Sequence, residues 1–556
     1  MRVTIPNFGG IVPRLPEHNL APIQALVAHD VKLRNGKLEP WREVCHHTAA
    51  PADAQTVFLH GCCSVTWDTV VETAEMPPDW KPFYITGRRP YLEAVVLDRD
   101  CDPTYYRVGV PTPMQPPNVS APEQCSRSAD ARAYVYTYYN IWYEESAPSP
   151  VSPVITVNDG DRVTVSNIPL PPEGYGIVGA NIYRATTGFR PADGKEQKEL
   201  TGYLYVGSIQ FPSTTLIDTV KMKALGPAVA TEKVREPPHG LRNVTKIEGV
   251  ARLAGSTKNR VHFSENFQPY NWPAKYDLTL DSTIIHMGCL ERKLFVTTDT
   301  TPYIIDTSSC EDNKCTPVTD LGLALPDISC KSASSAITTR HGFIYASPIG
   351  VILIGPTGKW YNLTAKWLGE EDWQRVQPDT ARFAYWEGFL FIVTDAVTFL
   401  LNIDGDPYGD MQLGELVTLS DKPKDMKVSN TGKLFFLNAK SIDIWNTGAQ
   451  WRSFTWESRA LTAGADAVGN GRIPDTGAPT GPLWSPASAK IGTAGTHFKL
   501  KSEVHGVVYE RDVYDDRPFR LPRIGRSKAY TVELSGIEEV LYFDMGTSNW
   551  TVPQGR

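Results

Sequence analysis

No stretch of this 556-residue chain approaches the roughly 20 consecutive apolar residues of a membrane-spanning helix. The opening MRVTIPNFGG lacks the apolar core of a secretory signal, so no leader is expected. A basic excess is missing too. The 55 Lys and Arg stand against 62 Asp and Glu, a net charge of −7. That argues against a general nucleic-acid binder, which needs cations to displace counterions from phosphate. DNA sliding past without being held remains compatible with it. Catalytic signatures are absent: no G-x-S-x-G, H-E-x-x-H or Walker sequence occurs. Carboxylate pairs are too common among so many acids to be diagnostic. We therefore expect no enzyme and no cofactor. The nine cysteines are irregularly spaced. Cys45, His46, His47, His60, Cys62 and Cys63 crowd together but match no zinc spacing, so no metal is expected.

What the chain does have is punctuation. Its 44 prolines and 43 glycines break it into short segments, which favours strands and turns over long helices. Its length calls for several domains. Four segments share one pattern, an apolar run, a turn and a second apolar run: 292–306, 341–355, 387–404 and 432–446. Each reads as a β-hairpin. Their starts lie 49, 46 and 45 residues apart, and 250–265 has the same character about one period upstream. A period of about 40–50 residues in an all-β chain is the blade length of a β-propeller.

A different pattern precedes these repeats. The run ARAYVYTYYNIWYEE alternates aromatic and small residues and breaks at SAPSPVSP. Short alternating strands follow at 161–169, 178–188, 202–209 and 214–220. This describes a β-sandwich that looks like a fibronectin type III module. Proline-rich 111–124 leads into it and 232–240 leads out, both read as linkers. The expected fold is thus all-β: a β-propeller with an inserted fibronectin type III-like β-sandwich and a small C-terminal β domain. Residues 1–128 would contribute strands to the propeller, with NLAPIQALVAHDVKL a short helix or an extended strap. The sandwich would occupy 129–225, the propeller blades 226–450, and the C-terminal β region 451–556 with a flexible loop over 460–482.

Several motifs are better read as structure than as chemistry. Gly174, Gly176 and Gly179 form a G-x-G-x-x-G, but a strand follows it rather than the helix a dinucleotide site needs. We assign these glycines to a turn. Residues 404–415 nearly match a calcium loop, yet Tyr408 replaces a ligand, Pro407 stiffens the loop and a strand precedes it. Two segments stand out as contact surfaces. In VHFSENFQPYNWP, Val261 to Pro273, prolines fix the backbone while Phe267, Tyr270 and Trp272 supply rigid contact area. This loop is expected to lock one blade to the next module or subunit. In RPFRLPRIGRSK, Arg517, Arg520, Arg523, Arg526 and Lys528 read as a strand-edge segment pairing with acids of a neighbouring subunit.

The order of several segments carries a resemblance. R-V-x-F-S-E followed by P-x-x-W-P, Arg260 to Pro273, resembles the tail nozzle proteins of short-tailed bacteriophages, the tail tubular protein B family. Asn35-Gly36-Lys37-Leu38-x-Pro40 near the N-terminus is similar to that family, as are FYITGRRPYLEAV, TYYRVGVPTPMQPP, YVYTYYNIWYEESAPSPVS, VTTDTTPYIIDTSS and RPFRLPRIGRSKAYTVELSG, in that order. The chain is shorter than many members and lacks their acidic-leucine finish. The resemblance implies a structural virion protein in the phage tail, made in the host cytoplasm. It implies a homohexameric ring beneath a head-to-tail adaptor, a channel that carries DNA without specific binding, and an outer wall that bears tail fibres or spikes. The competing expectation is a glycan-binding or glycan-cleaving propeller tail spike; a cellular protein-binding scaffold is a third.

Overall fold

Runs such as FLFIV at Phe389–Val393 and GVILI at Gly350–Ile354 are buried at every position. Apolar β-branched and aromatic residues this dense, cut off by turns after four to seven residues, stack as sheets covered on both faces. The computed structural model describes residues 2–77, 82–121, 130–186, 202–308, 314–317, 327–403, 414–462 and 483–547. It is all-β, with propeller blades, an inserted sandwich and a C-terminal β domain. The chain divides into two compact units. One holds 71–294 and 305–315; the other holds 1–70, 295–304 and 316–556.

In the first unit two antiparallel four-stranded meanders have the form of blades. One is Glu72–Glu75, Phe83–Thr86, Glu93–Leu97 and Pro103–Arg107; the other is Arg242–Ile247, Arg252–Thr257, Arg260–Phe263 and Leu278–Thr279. They meet through their first strands, as blades around a common axis do, although 110–240 lies between them in sequence. That intervening stretch contains the sandwich. Its sheets are Asn118–Ser120, Val163–Ser166, Leu216–Asp218 and Ile155–Val157, Asp130–Asn140, Ile177–Thr186, Leu204–Gln210. Tyr134, Tyr136 and Tyr138 alternate inward onto Val163, Val165, Ala180 and Ile182.

The serines of SAPSPVSP do not end that sheet; they continue it. Ser146, Ser149 and Ser152 donate their N–H groups to the carbonyls of Tyr138, Tyr136 and Tyr134 at 2.9, 2.8 and 2.9 Å. Their hydroxyls accept the N–H groups of the same tyrosines at 2.9, 3.1 and 3.0 Å. A period of three matches a polyproline II strap, so every third residue faces the sheet edge and the prolines fall where no donor is needed. The strap seals the edge of the longest strand in the sandwich.

In the second unit, blades Ile337–Thr339, Gly342–Ser347, Gly350–Ile354, Trp360–Asn362 and Arg382–Trp386, Phe389–Val393, Thr398–Asn402, Leu416–Leu419 bear out the hairpin repeat. A third comprises Asp425–Val428, Leu434–Leu437 and Ser441–Ile444, and its fourth strand is Cys45–Ala49 from far upstream. Successive blades again touch through their first strands.

The N-terminal strands take two routes. Cys45–Ala49 and the 72–107 sheet are blade strands, but Arg2–Ile5, Val31–Arg34 and Lys37–Pro40 join Val540–Gly546, Ser488–Thr493 and Phe519–Arg520 in a sheet of the C-terminal domain. The reason is packing: Val3, Ile5, Val31 and Leu38 share one core with Ile491, Phe543 and Met545. NLAPIQALVAHDVKL is the extended strap of the two readings. Its Ala25–His29 pairs in parallel with Leu416–Leu419 and antiparallel with Phe454–Ser458, so blade and C-terminal domain share a ten-stranded sheet. Trp456 anchors the join, with its indole N–H donated to the Gly9 carbonyl at 3.0 Å and its ring edge-on to Phe8.

Candidate assembly surfaces

The Val261–Pro273 segment starts as a blade strand and leaves it at Ser264, a fully buried serine. The Ser264 hydroxyl accepts the Leu253 N–H at 2.9 Å, and its carbonyl takes the Arg252 guanidinium at 2.8 Å. That guanidinium lies 4.6 Å from the centroids of both Phe263 and Tyr276, which sandwich it. Glu265 accepts the Tyr276 hydroxyl at 2.9 Å. Asn271 closes the loop by accepting the Arg235 N–H at 3.1 Å and donating to Gln268 at 2.8 Å.

Trp272 is only 2% exposed. It donates its indole N–H to the Pro269 carbonyl at 2.8 Å and packs among Tyr84, Leu92, Ala94, Val244 and Leu253 of both blades. Tyr270 and Trp142, the latter from the sandwich, lie half-buried on the same cluster. The loop therefore joins blade to blade and blade to inserted module within one chain. Trp272 does not face a second subunit, because the two blades and the sandwich already cover it. Burial pushes the Tyr270 phenol up to about 12, helped by the carboxylates of Glu144 and Glu145. Phe267 differs: its backbone is left-handed at φ 58°, and its side chain is 69% exposed.

The sequence gives no warning of what meets this loop from the sandwich. Asn140 uses its side-chain oxygen to accept the N–H groups of Trp142 and Glu144 at 2.9 and 3.0 Å, and donates to the Glu144 carboxyl at 2.7 Å. This turn holds Trp142 against the blades. It also sinks Glu144, whose pKa burial raises to about 7 while the Asn140 hydrogen bond pulls the other way. Tyr143 sits at φ 61° with its ring 84% exposed.

The arginine segment has the opposite character. Phe519–Arg520 pairs with Ser488–Ala489 at the end of its sheet, and Phe519 is buried against Phe498. Arg517, Arg520, Arg523, Arg526 and Lys528 are all exposed. Arg517 lies 3.9 Å from Asp515, with its side chain 86% open. Among the described residues Arg520, Arg523, Arg526 and Lys528 have no ion-pair partner.

The remaining motifs separate. Gly174 and Gly176 take φ 88° and 65° in a turn. A Cβ on Gly179 would lie 2.2 Å from the Ile209 carbonyl, so close strand contact requires that glycine. Gly174 and Gly176 occupy the expected turn, whereas Gly179 lies in the strand Ile177–Thr186, packed against the neighbouring Leu204–Gln210. His46 lies on a blade strand 3.1 Å from Asp443, whereas His60 and Cys63 lie on the Thr56–Trp67 hairpin. Residues 404–413 of the calcium-like loop and 463–482 of the C-terminal loop lie outside the described residues. Among the described residues no helix is long and apolar enough to cross a membrane.

No protein-family profile and no curated protein matches the chain. Solved structures do overlap it. S. cerevisiae Sqt1 is 9% identical over 76% of this chain and 98% of its own, with a TM-score of 0.29. The Neurospora crassa Pan2 WD40 domain is 10% identical over 69% and 91%, also at 0.29. The extracellular domain of BT4673 from B. thetaiotaomicron is 8% identical at 0.26, and the chain spans 36% of its length.

Proposed function

We propose that this protein is a tail nozzle subunit of a short-tailed bacteriophage. Copies of it form a ring at the distal end of the tail, of six by the family resemblance; the ring's channel carries DNA during ejection and its outer wall holds fibres or spikes. The reading rests on the segment Arg260 to Pro273 together with the other resembling segments in their order along the chain. One observation carries it furthest. The strand-and-loop of that segment is the clamp that fastens two blades to the inserted sandwich, so the most distinctive stretch of sequence is spent on rigidity rather than on chemistry.

Heterologous contacts between identical subunits close into a ring when the rotation per subunit divides the circle. An acidic chain suits a channel through which phosphate must move without sticking. Negative-stain microscopy of the purified full-length protein tests the reading. Six-fold rings with a hole wide enough for a DNA duplex are expected. Single particles that shorten a cell-surface polysaccharide would instead make it the glycan-cleaving spike.

A further inference from the structure

Both sheets of the C-terminal domain stop on the same stretch of chain. Gly506–Val513 is the last strand of the ten-stranded sheet, and Phe519–Arg520 is the last strand of the sheet that pairs Val540–Gly546 with Ser488–Thr493. Among the described residues neither has a further partner, so 506–520 presents unpaired backbone donors and acceptors along two edges. Natural edge strands are usually blunted by a bulge, a cover or a charge of either sign. Here Glu510, Arg511 and Asp512 charge the first edge, its pairing shifts register between Leu500 and Lys501, and the second edge is two residues long, so what the flank offers a partner is its side chains. Val504, Val507 and Tyr514 are 71%, 53% and 75% exposed. Residues 517–528 add five cations and no acid, whereas the other 50 basic residues of the chain stand against 62 acidic ones.

We propose that this flank is the docking face for a second copy of the chain, whose acidic surface meets the arginines of 517–528 beside the exposed Val504, Val507 and Tyr514. The inference rests on the ring reading for the expectation that copies meet, and it names where they do so. Charge complementarity favours a second copy, because 517–528 is a basic segment, next to Asp515 and Asp516, on an acidic molecule. Exposed apolar side chains favour polypeptide over DNA, which does not use them.

Sedimentation velocity on the full chain tests this, comparing wild type with R517E/R520E/R523E/R526E and with the charge-preserving four-lysine counterpart. All four side chains are exposed, so circular dichroism is expected to show the fold retained in each variant. Wild type should self-associate, roughly tenfold more weakly in the reversed variant and at high salt, with the lysine variant close to wild type. Unchanged assembly of the reversed variant overturns the proposal, as does a wild type that stays single at every concentration. Binding of a short DNA duplex that the reversal abolishes, with self-association intact, assigns the flank to nucleic acid instead. Rings that survive reversal sink the flank and keep the nozzle; pairs or open chains that vanish on reversal keep the flank and sink the ring.

Discussion

The loop 265–273 and the segment 517–528 are both short, irregular and rich in residues that make contacts, yet their surroundings are opposite. Trp272 is sealed inside its own chain, while Arg517 is almost fully open. Aromatic side chains gain most where they lose water, and two blades and a sandwich turn are there to cover them. Guanidinium groups left in solvent gain little until a partner of opposite charge arrives. The first segment therefore acts on folding and, on our proposal, the second on association, and substitutions should separate the two.

The largest effect is expected from Trp272→Ala. Removing a fully packed indole from the junction of two blades should cost about 3–5 kcal/mol, read as a fall in thermal midpoint. A loss under about 1 kcal/mol would mean that the clamp is not where the two blades are held. Next comes Ser149→Ala in the serine strap. It leaves the Tyr136 N–H without its hydroxyl acceptor in a buried edge, at about 1–3 kcal/mol. Proteolysis near 146–152 should quicken.

A pH effect follows from Glu144. Its pKa in the folded chain is raised to about 7 from an ordinary 4.5. The group therefore contributes its full stability below the unfolded value, and loses it as pH rises through about 7. Glu144→Gln should remove that decline, gaining about 1–2 kcal/mol at pH 8 and almost nothing at pH 4. Denaturant midpoints at the two values check it; an equal gain at both would assign the effect to packing. The smallest expected change is for Phe267→Ser or Arg520→Glu, each within about 0.5 kcal/mol of wild type in stability. A larger loss at Phe267 would place that ring inside a contact the exposed surface does not show.

Much of the fold was legible because its signals are local. The hairpins at 341–355, 387–404 and 432–446 announce themselves by paired apolar runs, and their strands fall where the runs lie. The sandwich strands did so by alternation. What stayed hidden depends on partners distant in sequence. Nothing near Arg2–Ile5 says that its partner is Val540–Gly546, and nothing near Cys45–Ala49 points to Ser441–Ile444. SAPSPVSP reads as a break because prolines end ladders, yet its serines at a spacing of three could have signalled a strap. The loop around Trp272 was legible as a lock, but which surfaces it joins was not, since they come from 84–94, 142 and 244–253. The arginines were read as pairing with acids of a neighbouring subunit; within the chain they are exposed.

The most direct test of the nozzle assignment is where the protein sits on the particle. On that assignment the protein is carried on short-tailed virions, and gold-labelled antibody against the full chain should mark the distal tip of their tail, beneath the portal and adaptor. Label along projecting spikes, or none on intact virions, would contradict it.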